Sequence, residues 1–156
     1  MPTPSPGFSV RRLGATDVEA MRQVNRLFGQ VFDEVETFET APPADEYLAR
    51  LLGRDGFAAL AAFDGDDPVG ALCAYRLDKY EQQRSEYYIY DLVVAEEARR
   101  RGVATALIEA LGQVAADEGA YVMFVQADHG DDPAIALYSK LGRREDVLHF
   151  DIDPVR

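Results

Sequence analysis

The chain is poor in several kinds of residue. A single cysteine, Cys73, stands among 156 residues, so no disulfide forms within the chain. It lies in an apolar run and reads as a small core residue. No apolar run approaches the ~18–20 residues that a membrane-crossing helix needs, so no membrane partner is expected. The opening, MPTPSPGFSV, has neither a basic segment nor an apolar core, and is not read as a secretory leader. With no sign of an oxidising compartment, the expected location is the cytoplasm. The two histidines, His129 and His149, show no metal-ligand spacing with cysteine or acids, and no Ser-His-Asp arrangement is recognisable. His149 is expected to be structural, within an alternating strand. Basic side chains are scarce, 16 Lys and Arg against 28 Asp and Glu, for a formal charge of −12. Nucleic acid requires a basic face and is excluded as a partner. An acidic protein suits a cationic small molecule instead.

What is present is enough for one domain over residues 1–156, with residues 1–7 as a loose proline-rich start. Apolar residues make up 47%. Alternation predicts a first strand from Phe8 to Leu13. Thr16 or Asp17 is placed to cap a helix whose apolar positions (Val18, Met21, Val24, Leu27, Phe28, Val31, Phe32) keep three- and four-residue steps. The acidic segment Asp33 to Pro43 reads as a connection ending at Pro42-Pro43, followed by a short helix from Ala44 to Leu52. Phe57–Phe63 and Val69–Leu77 predict a hairpin around Asp64-Gly65-Asp66-Asp67-Pro68, and Ser85–Val94 a third strand. A helix follows Gly102 and stops at Gly119. Tyr121–Ala127, almost wholly apolar, predicts a strand buried on both faces. Pro133 opens a helix that Gly142 ends. Val147–Ile152 alternates and predicts a final strand. The order is that of a mixed α/β domain, its sheet antiparallel early and partly parallel late.

The stretch from Tyr87 to Glu118, YYIYDLVVAEEARRRGVATALIEALGQVAADE, organises the rest. An apolar strand leads through a short acidic turn, Ala95–Ala98, to three arginines, Arg99, Arg100 and Arg101, then Gly102 and a helix. The first amides of a helix lack intrahelical acceptors and, with the helix dipole, attract anions. Gly102 has no β-carbon to hold a phosphate away, and arginines add charge and forked donors. The amides of Gly102, Val103, Ala104 and Thr105 therefore read as a diphosphate cradle. Neither GxxxxGK[ST] nor GxGxxG is present.

The R-x-x-G-x-A at Arg99, Gly102 and Ala104 resembles the [QR]-x-x-G-x-[GA] signature of the GNAT superfamily of N-acetyltransferases. AIALYSKLG at 134–142 resembles that superfamily's final helix. The segments FAALAAFDGDDPVGALCAY (57–75), RSEYYIYDLVVAEEARRRGVATALI (84–108), GAYVMFVQADHGDDPAIALYSKLG (119–142) and HFDID (149–153) are similar to type I aminoglycoside 3-N-acetyltransferases. The resemblance runs from about Phe28 to Asp153 and is weaker before it. It implies an α/β (α+β) GNAT fold, a central mixed sheet flanked by about four helices. It also implies acetyl-CoA as donor, coenzyme A as product, an aminoglycoside acceptor and a homodimer.

An alkyl amine has a pKa near 10, so roughly one in a thousand is free at neutral pH. The site must remove a proton, stabilise an oxyanion and protonate a departing thiolate. The resemblance gives the last task to Tyr138, one helical turn past Ala134, and both are expected to face the cofactor. It gives the carbonyl and the pantetheine arm to the amides of Leu92, Val93 and Val94, at a strand bulge. Asp91, a lone acid late in an apolar strand, is the candidate base, with partial desolvation raising its pKa. Glu86 is the weaker candidate, on the opposite face by simple alternation, and a water relay is the third. The acidic groups Glu34 and Glu36, Asp128, Asp131 and Asp132, and Asp151 and Asp153 are candidates to hold the cation. Asp131 stands where many relatives carry an asparagine, and an ionised carboxylate cannot donate to pantetheine. A polyamine acetyltransferase and a non-catalytic acyl-CoA-binding module are the other readings.

Overall fold

The computed structural model describes residues 7–155. The chain partitions into two compact units, divided between Phe124 and Val125. Residues 1–6 of the expected loose start lie outside the described residues.

In the first unit, β1 (Ser9–Arg12) leads to α1 (Val18–Val31), α2 (Val35–Glu39) and α3 (Asp45–Leu52). A meander follows, β2 (Phe57–Asp64), β3 (Asp67–Asp78) and β4 (Ser85–Val94). A 3-10 turn (Glu96–Ala98), α4 (Val103–Asp117) and β5 (Ala120–Val125) complete the run, β5 ending just past the division. The strands form a mixed sheet in the order β1-β2-β3-β4-β5, antiparallel from β1 through β4. β2 and β3 are central, and Phe57–Phe63 is buried throughout. The β2–β3 turn is two residues, Gly65 and Asp66, with Gly65 at φ +63°, a positive value that glycine adopts without strain.

The predicted helix periodicity is the periodicity observed. Met21, Val24, Leu27 and Phe28 of α1 are buried, as are Leu107 and Leu111 of α4, each stabilising by about 1.5–3 kcal/mol. The helix α4 is fixed at both ends. At its start, Val103 packs so closely on β3 that a β-carbon on Gly70 would lie 2.5 Å from Val103 Cγ1. At its end, the Glu118 carboxylate accepts from Arg76 at 2.7 Å and from the Tyr87 hydroxyl at 2.6 Å. Arg76 also forks onto Asp55 with two bonds of 2.9 Å, a charge-assisted pairing that holds its guanidinium in place.

Three local expectations are corrected in this part of the chain. Asp17 occupies the N-cap position of α1, but its carboxylate accepts from the Gly14 amide and Arg11 instead of capping the helix. The segment after α1 is not only a connection. It contains α2, pinned where Phe38 stacks on Phe28 at 6.0 Å. Tertiary aromatic packing therefore makes a helix from an acidic five-residue stretch. β5 is not buried on both faces. It is the last strand of the sheet, its side chains are half-buried, and Tyr121 is exposed.

In the second unit, α5 (Asp132–Leu141) has Pro133 in its first turn and ends at Gly142, as predicted. The final strand expected at 147–152 does not form. Val147, Leu148, Phe150 and Ile152 are exposed. Alternation makes a segment suited to a ladder, but the ladder needs a neighbour, and this one has none among the described residues. His149 accordingly lies outside any strand, with Nε2 2.9 Å from Asp151 Oδ1.

Candidate functional site

The site begins with an irregularity in β4. Ala74 of β3 pairs with Ile89, but Cys73 pairs with Asp91, so Tyr90 is an extra residue, a β-bulge. Regular alternation would turn Asp91 toward α4, the side on which Gly70 meets Val103. The bulge puts it instead on the opposite face, with Cys73 and Val93. This corrects the expected placement of Glu86. Glu86 pairs with Leu77, which shares a face with Tyr75 and Cys73, so Glu86 and Asp91 lie on the same face.

The two acids differ in environment. Glu86 accepts from the Tyr121 hydroxyl and lies 3.8 Å from Lys79 Nζ, so it is already engaged. Asp91 has no hydrogen-bond or ion-pair partner among the described residues. Partial burial first, and then the negative charge of Glu34, raise its pKa from the ordinary 3.8 to about 6. Such a carboxylate is ionised at neutral pH and remains basic enough to take a proton. The Cys73 thiol, pushed up to about 12 by burial and then by Asp91, stays protonated and inert.

The cradle is built from backbone. Arg99 is extended at φ −65°, ψ 154°, Arg100 is left-handed at φ +66°, and Gly102 is left-handed at φ +80°. The first helical bond of α4 runs from the Ala106 amide to the Gly102 carbonyl at 3.0 Å, so the amides of Val103, Ala104 and Thr105 precede the ladder. A β-carbon on Gly102 would meet nothing within 4 Å, which leaves the approach to the backbone open. These features fit a diphosphate. The Val103 side chain is buried in the core and offers the site only its amide. Because Val103 touches Gly70, and Gly70 pairs with Val94, the cradle adjoins the end of β4. Asp91 stands three residues back, about 10 Å along the strand. Leu92, Val93 and Val94 fill the interval.

The arginines are not equivalent. Arg99 and Arg100 are exposed. Arg101 turns to the Gly7 carbonyl at 3.1 Å and lies 3.7 Å from Asp64. Glu36 is exposed on α2.

In the second unit, Asp131 has a role that sequence reasoning missed. It is the N-cap of α5 and accepts from the Ala134 amide at 3.4 Å. The signal was available, an acid two residues before Pro133. Tyr138 is half-buried, and burial, then the charge of Asp131, raise its pKa, keeping the phenol protonated. Asp128, Asp151 and Asp153 are exposed. Gly70 is another missed residue, because its closeness to Val103 exists only in the folded chain. Among the described residues no group of three His, Cys, Asp or Glu is placed to hold a metal, and no helix is long and apolar enough to cross a membrane.

Comparison with known proteins shows what the chain is similar to. An aminoglycoside acetyltransferase, HMB0005, from an uncultured soil metagenomic sample, is 53% identical, with a TM-score of 0.92 over 96% of this chain and 99% of that one. A second aminoglycoside acetyltransferase from such a sample, meta-AAC0020, solved with sisomicin, is 32% identical, with a TM-score of 0.86 over 95% and 97%. Mycothiol acetyltransferase of Clavibacter michiganensis subsp. michiganensis is 30% identical over 151 residues, 96% of this chain, which spans only 46% of that relative's length. The model of the acetyltransferase (GNAT) family matches residues 21–142. The strand, cradle and helix described above belong to that matched region, and the chain is a member of the GNAT family of acetyltransferases, whose acetyl donor is acetyl-CoA.

Proposed function

We propose that the chain transfers acetyl from acetyl-CoA to the 3-amino group of aminoglycosides, giving resistance to these antibiotics. The observation that carries the reading is Asp91, an unpaired, partly buried carboxylate with a pKa of about 6 on the strand that ends at the cradle. Acetyl-CoA supplies an activated acetyl thioester. The amides of Gly102, Val103, Ala104 and Thr105, with Arg99, Arg100 and Arg101, would hold its diphosphate, and Ala134 is assigned to the same cofactor on the family resemblance alone. Asp91 takes a proton from the acceptor ammonium, and the freed nitrogen attacks the thioester carbonyl directly. The amides of Leu92, Val93 and Val94 stabilise the charge that develops on the carbonyl oxygen. As the carbon–sulfur bond breaks, Tyr138 gives its proton to the leaving sulfur and recovers the second proton that the acylated nitrogen sheds.

Glu36, Asp91, Asp128, Asp131, Asp151 and Asp153 hold the remaining ammonium groups, supported by the acidity of the chain and its likeness to aminoglycoside acetyltransferases. The chain acts as one N-acetyltransferase domain in the cytoplasm, as a homodimer. The exposed apolar side chains of residues 147–152 support the dimer, and light scattering tests it.

The deciding experiment incubates the protein and acetyl-CoA with a panel of aminoglycosides and linear polyamines. Thiol release is followed, and the acetylated position is read by NMR. Turnover of aminoglycosides at the 3-amino group is expected. Turnover of polyamines alone would replace the acceptor, and acetyl-CoA binding without turnover of any amine would make the chain a binding module.

A further inference from the structure

The bulge in β4 does more than aim Asp91. Because Tyr90 is the extra residue, the consecutive side chains Tyr90 and Asp91 leave the strand on the face to which Tyr88 already points. Tyr90 is 61% exposed, yet its ring is seated. It meets Tyr75 edge-on at 5.8 Å and 81°, and Tyr88 at 5.7 Å and 55°. Tyr88 stacks on Phe124 at 4.6 Å, and Tyr75 rests against Phe57, which is buried. The outermost ring is thus backed by a continuous layer of rings reaching the core. A large side chain held rigidly and left open to solvent, next to a carboxylate with no partner, is suited to contact a ligand. Glu34 supplies a second negative charge here. It occupies the N-cap position of α2 without a side-chain cap bond, its amide donates to the Gly29 carbonyl at 2.8 Å, and Asp33 before it is left-handed at φ +54°.

We infer that Tyr90, backed by Tyr75 and Tyr88, is the specificity-determining wall of the acceptor site, taking the C–H face of a saturated amino-sugar ring while Asp91 and Glu34 take its ammonium groups. The inference rests on the aminoglycoside reading above and extends it. A flat rigid wall rewards a ring, whose face it covers in one piece. A linear polyamine offers no such face and loses more rotational freedom on being laid against one. The wall therefore separates cyclic polyamines from linear ones, which acidity alone does not.

The test compares Tyr90→Ala and Tyr90→Phe with the native protein, measuring kcat and KM for an aminoglycoside, for spermidine and for acetyl-CoA. Tyr90 is exposed, so both variants are expected to keep the native melting temperature within a few degrees. Tyr90→Ala is expected to raise the aminoglycoside KM about tenfold, with kcat and the acetyl-CoA KM within about twofold. Tyr90→Phe is expected to stay near native, because the face and not the hydroxyl makes the contact. An unchanged aminoglycoside KM in Tyr90→Ala, an equal loss in Tyr90→Phe, or an equal loss toward spermidine overturns the wall while leaving the acetyltransferase reading intact. A native protein that acetylates no aminoglycoside overturns both.

Discussion

Replacing Asp91 with asparagine is expected to make the protein more stable and nearly inactive. The side chain keeps its shape, but the charge that burial and Glu34 oppose is gone. A rise in pKa from 3.8 to about 6 corresponds to a ceiling of about 3 kcal/mol, at about 1.4 kcal/mol per pH unit. The carboxylate is only partly buried and solvent screens it, so about 1 kcal/mol is the expected gain. For a chain of this size that is about 2–4 °C in melting temperature.

The direction with pH follows from linkage. Between the unfolded and folded pKa values the native state binds more protons than the unfolded state, so native stability falls as pH rises. Asp91 therefore contributes nothing unfavourable below about pH 4. Its cost develops between about pH 4 and pH 6 and is constant above, a window set by the values 3.8 and about 6. Urea unfolding of native and Asp91→Asn protein at half-unit steps from pH 4 to pH 8 reads the difference directly. The curves should coincide at pH 4 and separate by pH 6.5, with asparagine the more stable. In parallel, kcat/KM of the native enzyme should rise with an inflection near pH 6, and the variant should lose about 10²–10⁴-fold. A variant less stable at pH 8, or a separation that does not change with pH, would refute the assignment of Asp91 as a strained, desolvated base.

Three other substitutions probe the rest of the construction. Gly70→Ala drives a methyl into Val103 and is expected to cost about 1–3 kcal/mol by denaturant unfolding, with weaker coenzyme A binding by calorimetry as the start of α4 shifts. Tyr138→Phe removes the proposed proton donor and is expected to lower kcat about 10²-fold with the acetyl-CoA KM unchanged, read in steady-state assays. Glu34→Gln removes the like charge facing Asp91, and the inflection in kcat/KM is expected to move below pH 6.

The elements that were legible in the sequence are those whose cause is local. β4 was placed to the residue, because a run of apolar and aromatic residues bounded by polar turns has few other uses. The helices α1, α4 and α5 are legible from spacing and, for α4 and α5, from the glycine or proline at their ends. The open amides at the start of α4 are legible for the same reason, since a glycine before a helix leaves its first amides free. What was missed depends on contacts between distant residues. α2 exists because Phe38 stacks on Phe28, and the space at Gly70 is taken by Val103. The expected strand at 147–152 failed in the reverse sense, a correct local pattern without a partner.

The proposed chemistry rests on two departures from regular backbone, both within the stretch from Tyr87 to Glu118. One is the bulge at Tyr90 and the other the left-handed turn through Arg100 and Gly102. A left-handed arginine costs roughly 1–2 kcal/mol, and a bulge gives up ladder bonds, so neither is favoured by the backbone alone. Each produces something regular structure withholds. A strand with strict alternation would aim Asp91 at the α4 side of the sheet, the face on which Leu72 and Ile89 are buried. A strand running straight into a helix would leave no open amides at the end of β4. Between the two departures the strand is rigid, held to β3 in register from Asp91 to Val94. Asp91 is therefore held about 10 Å from Val94, the end of the strand that the open amides adjoin, and it cannot shift along β4 without breaking the sheet.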